Sequence, residues 1–254
     1  MVMVKHLLIL GGTGEARELA RRVSLLIGKR VRVTTSLAGR RASSPNLAGE
    51  VRSGGFGGIQ GMMDYMAENA VDLVVDATHP FSPTISDHAA AACGDACDGG
   101  IPRLQLMRAQ WRIPPSAKWV EVDDFQAAAN YLPQFAKRAL LTTGIRGLEA
   151  FSRLKDLWFL VRLIDAPETP PPLVDYQIIT GKPPYSLEDE RAVLAEHSID
   201  AIVAKNAGGD ATEAKIFAAA EAGVKIVLIR RPPPEPGPIA ETVDEAFAWI
   251  EERV

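Results

Sequence analysis

Along the first hundred residues, short apolar runs alternate with longer stretches whose apolar positions recur at helical spacing. Apolar runs closed by glycine or polar residues read as buried strands, and the longer stretches read as amphipathic helices laid over them. On this pattern strands are predicted at Lys5–Leu10, Val31–Thr35, Glu50–Ser53, Val71–Ala77 and Arg103–Met107. After Gly14, the residues Ala16, Leu19, Ala20 and Val23 fall on one helical face, with Arg17, Arg21 and Arg22 on the other. Strand and helix alternating in this way build a parallel sheet covered by helices.

The second half repeats the first. The stretch "VDLVVDATHPFSPTISDHAAAACGDACDGGIPRLQLMR" (71–108) aligns with "IDAIVAKNAGGDATEAKIFAAAEAGVKIVLIRR" (199–231). Each is a strand, a polar loop, an alanine-rich helix, a glycine turn and a strand ending in arginine. "WVEVDDFQAAANYL" (119–132) likewise matches "IAETVDEAFAWI" (239–250), both opening a helix with acids that suit its N-terminal dipole. "ALLTTGIRGLEAF" (139–151) takes the place that "LLILGGTGEAREL" (7–19) holds in the first half. The expectation is an α/β chain of two Rossmann-like domains with parallel sheets, residues 1–110 and 111–241. The proline-rich stretches 112–118 and 230–238 would be the crossovers, and helix 242–254 would pack back on the first domain. A ligand cleft is expected between the domains, at the carboxyl ends of the strands.

Composition narrows the function. Of 254 residues 47% are hydrophobic and 24% charged, the balance of a globular protein, and the net charge of −4 supplies no global basic field. Neither nucleic acid nor a membrane is therefore expected as partner, and a monomer is the working expectation. Leu7–Leu10 is too short for a signal peptide or a span, which reads as a cytoplasmic protein. Cys93 and Cys97 lack the further ligands a zinc site needs, so no metal is expected.

Candidate chemistry sits in the loops after the strands. Gly11, Gly12, Thr13 and Gly14 join a strand to a helix, where backbone N–H groups and the helix dipole can face an anion. Glu15 would then have to point away from a phosphate. The second strand runs into "VTTSLAGRR", with Thr35, Ser36, Arg40 and Arg41 and no acid. An acid there would take the ribose hydroxyls of NAD, whereas cations and hydroxyls suit the extra phosphate of NADPH. "DATHPF" follows a buried strand with Asp76, Thr78 and His79, and His79 reads as a general acid, a positioning group or a plain loop histidine. The equivalent loop of the second half carries Lys205, Asn206, Gly208, Gly209 and Lys215, a pattern suited to a carboxylate or phosphate. The common hydrolase and phosphotransferase motifs are missing.

"LILGGTGEAREL", "DATHPF", "TGIRGLEAF", "AKNAGGDATEAKIFAAAEAGVKIVLIRRP" and "TVDEAFAWI" together resemble the precorrin-6A reductase family of cobalamin biosynthesis, in order and over nearly the whole chain. Its motifs are shared by the reductases of the metal-free ring and of the cobalt form. Ala207 stands where the family often has serine, and Tyr185 and Ser186 of "GKPPYSLEDER" loosely match its Gly-Pro-Phe-Ser stretch. The resemblance implies an NADPH-dependent oxidoreductase that delivers hydride to a conjugated double bond of a tetrapyrrole, precorrin-6A giving precorrin-6B. On this reading Gly11, Gly12, Thr13 and Gly14 would hold the pyrophosphate and Ser36, Arg40 and Arg41 the 2′-phosphate, with Thr35 also at the cofactor. Asp76, Thr78 and His79 would frame the nicotinamide, with His79, Asp76 and Lys205 as the catalytic set. Thr143, Gly144, Arg146, Lys205, Asn206 and Lys215, with Arg162, would hold the ring and its carboxylates. From the residues alone, a two-domain anion-binding protein and a nucleotide-sugar transferase stay open as alternatives.

Overall fold

A computed structural model of the chain describes residues 4–39, 47–94 and 99–254. The chain divides into two compact units, one formed by Met1–Arg108 with Pro232–Val254 and the other by Ala109–Arg231.

In the first unit the strands are β1 (Lys5–Leu10), β2 (Val31–Leu37), β3 (Glu50–Ser53), β4 (Leu73–Asp76) and β5 (Arg103–Leu106), with the short β12 (Ile239–Ala240) returning from the far end of the chain. They form one parallel sheet in the order β12-β5-β4-β1-β2-β3. The order reverses between β4 and β1, and a doubly wound sheet opens a crevice at the carboxyl ends of its strands at such a point. Strand residues alternate between two buried faces. Leu7, Ile9 and Val75 pack with Leu19 and Val23 of helix α1 (Gly14–Ile27) and with Phe247 and Ile250 of helix α7 (Val243–Glu251). Leu8, Leu10 and Val74 pack on the other face with Met62 and Met66 of α2 (Ile59–Glu68) and with Ala89 and Cys93 of α3 (Pro83–Cys93). Each large apolar side chain so buried contributes about 1.5–3 kcal/mol, which fixes the register that brings the strand ends level.

The second unit holds β6 (Trp119–Val122), β7 (Arg138–Leu141), β8 (Trp158–Leu163), β9 (Tyr176–Thr180), β10 (Ala201–Lys205) and β11 (Lys225–Ile229). All pair in parallel, in the order β6-β11-β10-β7-β8-β9. Place for place this is the first sheet again, with β6 in the position of β12 and β7 in that of β1. Helices α5 (Leu187–Glu196) and α6 (Ala214–Ala222) cover one face through Leu194, Ile216 and Ala219. Helix α4 (Phe125–Tyr131) packs against the single helical turn Leu148–Phe151, whose Phe151 meets Phe159 of β8 edge-on at 5.9 Å between ring centres. That one turn stands where the first unit has the fourteen residues of α1. The repeat therefore keeps the strand order while shortening this crossover.

The predicted strands of the first half lie where the apolar runs put them, shifted at most two residues at an end; β4 starts at Leu73 because Asp72 is drawn off to bond with Lys5 and the His6 N–H. Among the described residues no helix is long and apolar enough to cross a membrane.

Candidate active site

In the first unit, the loops after β1 and β4 are tied together beside the sheet's switch point. The Ala77 N–H donates to the Leu10 carbonyl at 2.9 Å. Thr13 donates its hydroxyl to the Ala77 carbonyl at 2.8 Å and accepts the Ala16 N–H at 3.1 Å, so one side chain caps α1 and fastens the two loops. The three glycines of the first loop have different reasons. Gly11 gives its N–H to the Ser36 carbonyl, and a Cβ there would lie 2.8 Å from Thr35 Cγ2, so it permits close strand packing. Gly12 adopts φ +121°, a conformation that favours glycine. Gly14 has neither constraint: its φ is not in the left-handed region, and a Cβ at that position would meet nothing within 4 Å. Among the described residues, the N–H groups of Gly12, Thr13, Gly14 and Glu15 bond to no protein acceptor.

The Glu15 carboxylate is engaged by a residue that sequence reasoning left out of the site. Arg108, just past β5, donates through Nη1 to both Glu15 carboxylate oxygens at 3.0 and 3.1 Å. Thr13, Glu15, Thr78, Pro80, Leu106 and Arg108 line a small, narrow recess. An acid set inside an anion-facing loop calls for a cation, and the arginine that closes the predicted strand was the available signal.

The "DATHPF" loop is organised by its own first residue. Asp76 is buried, and its Oδ1 accepts from the Thr78 N–H at 3.1 Å and the Thr78 hydroxyl at 2.7 Å. Among the described residues its Oδ2 is buried without a protein partner, as is the hydroxyl of Thr35 next to Gly11. His79 accepts the Phe81 N–H at Nδ1, 3.1 Å away. A neutral imidazole accepting at Nδ1 carries its proton on Nε2, so His79 presents an N–H donor there. At the end of β2, Thr35 is fully buried with its methyl against Gly11, which withdraws it from any phosphate. Ser36 accepts a hydrogen bond from Arg52 Nη1 at 2.7 Å. Arg40 and Arg41 lie outside the described residues.

In the second unit the loops after β7 and β10 flank the equivalent switch point. Thr143 is buried and donates weakly to the Gly144 carbonyl at 3.4 Å, Gly144 has φ +76°, and Arg146 is exposed. Lys205 lies 5.5 Å over the Phe125 ring, and burial together with the nearby positive charge of Arg146 lowers its pKa from the ordinary lysine value. Asn206 is spent on structure: its Nδ2 donates to Gln110 at 3.1 Å and Glu121 at 3.3 Å. Gly208 is required, since a Cβ would sit 1.9 Å from the Ala109 carbonyl.

Two expected substrate cations are held elsewhere. Lys215 is only 4% exposed, bonds the Thr212 carbonyl and lies 4.3 Å over the Trp111 ring. Arg162, 9% exposed, forks onto the fully buried Glu190 at 2.6 and 3.0 Å, so its charge is neutralised inside the unit. Tyr185 and Ser186 serve the same neighbourhood: Tyr185 donates to the Gly181 carbonyl, and Ser186 forms a capping box with Asp189 at the start of α5. The structure thus gathers Gly12–Glu15, Asp76, Thr78 and His79 in one unit and Thr143–Arg146 with Lys205 in the other, whereas Thr35, Lys215 and Arg162 are buried, Lys215 and Arg162 with partners inside their own unit.

Comparison with known proteins decides the family. The family model "Precorrin-6x reductase CbiJ/CobK" matches residues 6–251. The chain belongs to this reductase family. It is 42% identical over 248 residues to the precorrin-6A reductase of Rhodococcus erythropolis, covering 96% of this chain and 97% of that one. It is 40% identical over 246 residues to that of Mycobacterium tuberculosis, at 96% and 97% coverage. A solved structure, "CobK precorrin-6A reductase", superposes with a TM-score of 0.88 at 35% identity, over 98% of this chain and 97% of that one. The reductase is therefore an oxidoreductase, not a passive anion binder or a sugar transferase, and its chemistry calls for a nicotinamide cofactor.

Proposed function

We propose that the chain is an NADPH-dependent precorrin-6A reductase, forming precorrin-6B in cobalamin biosynthesis. The observation that carries this reading is the loop Gly12–Glu15: four N–H groups at the start of α1 that find no protein acceptor among the described residues, and a glycine at 14 that meets no steric or backbone constraint there. Such a loop suits a pyrophosphate, with Arg108 engaging the Glu15 carboxylate. NADPH would supply a hydride for one conjugated double bond of the macrocycle.

The chain's own residues then bind, orient and exclude water. Thr13 fixes the loops after β1 and β4 against each other. Asp76 shapes the loop that carries Thr78 and His79, the residues that would frame the nicotinamide. Lys205 and Arg146, with the N–H groups around Gly144, receive the acidic side chains of the ring in the second unit. Binding a carboxylate there relieves the like-charge repulsion between the two cations, which favours the protonated lysine. Most of the acceleration comes from orientation rather than from a strong acid.

The test is direct. Titration with NADPH and NADH, read by nicotinamide fluorescence, should show tighter binding of NADPH, and anaerobic addition of precorrin-6A should oxidise one NADPH per ring. Absence of NADPH oxidation with precorrin-6A would overturn the assignment.

A further inference from the structure

We infer that Arg52, on β3, is a specificity-determining residue that recognises the 2′-phosphate of the cofactor. The inference rests on the NADPH reading above and adds a residue that the end of β2 did not reveal. Strands β2 and β3 pair with Ser36 opposite Arg52, so the arginine stands beside the carboxyl end of β2. In a Rossmann-like sheet the adenine ribose is read at that strand end.

The guanidinium is held in place before any ligand arrives. It lies 3.9 Å over the ring of Phe56 and 4.9 Å over that of Tyr65, and those two rings meet edge-on at 5.3 Å. Nη1 donates to Ser36 Oγ at 2.7 Å and to the Gly54 carbonyl at 3.2 Å, and Nη2 donates to the Gly55 carbonyl at 3.1 Å. These bonds use three of the five N–H groups that an arginine carries, which leaves donors on Nε and Nη2. Ser36, accepting from Arg52, keeps its own O–H to donate.

Charge distinguishes Arg52 from Arg32 and Arg108. Arg32, on the adjacent strand, approaches Glu50 at 3.9 Å, and Arg108 is paired with Glu15. Among the described residues no carboxylate pairs with Arg52. A planar cation that is stacked, oriented and not neutralised, beside a serine hydroxyl, matches a phosphate dianion far better than the neutral hydroxyls of an unmodified ribose.

The experiment compares adenosine 2′,5′-bisphosphate with adenosine 5′-monophosphate by calorimetry on the full-length chain, and NADPH with NADH by fluorescence. The wild type should bind the 2′-phosphorylated member of each pair more tightly. Arg52→Gln should weaken that member by about 10- to 100-fold, the worth of charge-assisted hydrogen bonds, while changing the other less than about twofold. Arg52→Lys should recover part of the loss. Should Arg52→Gln be unstable by thermal melting, Phe56→Leu keeps the charge and removes the ring beneath it, and the preference should still fall several-fold. A wild-type preference that survives in Arg52→Gln, or an equal loss for both members, overturns the inference alone. A wild type with no preference overturns the NADPH reading and the inference together.

Discussion

Gly14 and Gly11 stand three residues apart, yet replacing them should have opposite consequences. Alanine at Gly14 meets no atom within 4 Å and opens a helix, where alanine is favoured over glycine by up to about 1 kcal/mol. The melting temperature of Gly14→Ala should therefore hold or rise slightly. On the proposed reading a methyl group at that point would stand where the pyrophosphate approaches the backbone, so NADPH affinity should fall about tenfold or more, on the scale of about 1.4 kcal/mol per decade. Gly11→Ala reverses the pattern, because its Cβ would press on Thr35 Cγ2 at 2.8 Å, and overpacking of a buried contact costs about 1–3 kcal/mol. Thermal melts and fluorescence titrations of the two variants check this. Unchanged NADPH binding in Gly14→Ala would remove the loop from the cofactor site.

Between elements, a buried tie in the second unit joins β8 to α5 through Arg162 and Glu190, a fork with Tyr185 lying 4.5 Å beneath the guanidinium. Removing one partner leaves a buried charge without compensation, so Glu190→Ala should destabilise by about 3–5 kcal/mol in urea unfolding. Replacing both, as Arg162→Met with Glu190→Leu, should recover most of that loss while leaving NADPH affinity as in the wild type. This pair also shows where reading a sequence stops. The buried strands were legible because each is an unbroken apolar run ended by glycine or a polar residue, and the loop Gly11–Gly14 was legible because its signal is local. Which arginine is neutralised is not local: Arg162 finds its acid 28 residues away, Arg108 finds Glu15 at 93, and Arg52 meets Ser36 at 16. Lys215 and Arg162 looked like ligand cations because charge is visible in a sequence and burial of a charge is not.

Over the whole chain, the same strand order occurs twice, and in both sheets the edge position is filled by a strand that follows a proline-containing stretch. The repeat was legible in the order of elements, whereas the reduction of one crossover to the turn Leu148–Phe151 was not, since "GLEAF" reads equally well as the start of a longer helix. The last helix shows what this topology means for stability. Helix α7 follows the entire second unit in sequence, but Ala246, Phe247 and Ile250 are buried in the core of the first, and Arg22 of α1 both pairs with Asp244 and lies 4.8 Å over the Phe247 ring. Phe247→Ala should accordingly cost about 3–5 kcal/mol, as expected for truncating a buried aromatic residue. The loss should be confined by unit rather than by proximity in sequence. In hydrogen exchange, amides of β1 and α1, more than two hundred residues upstream, should lose protection, while β10 and β11, far nearer along the chain, keep theirs. Equal loss of protection across residues 109–231 would show instead that the two units unfold as one.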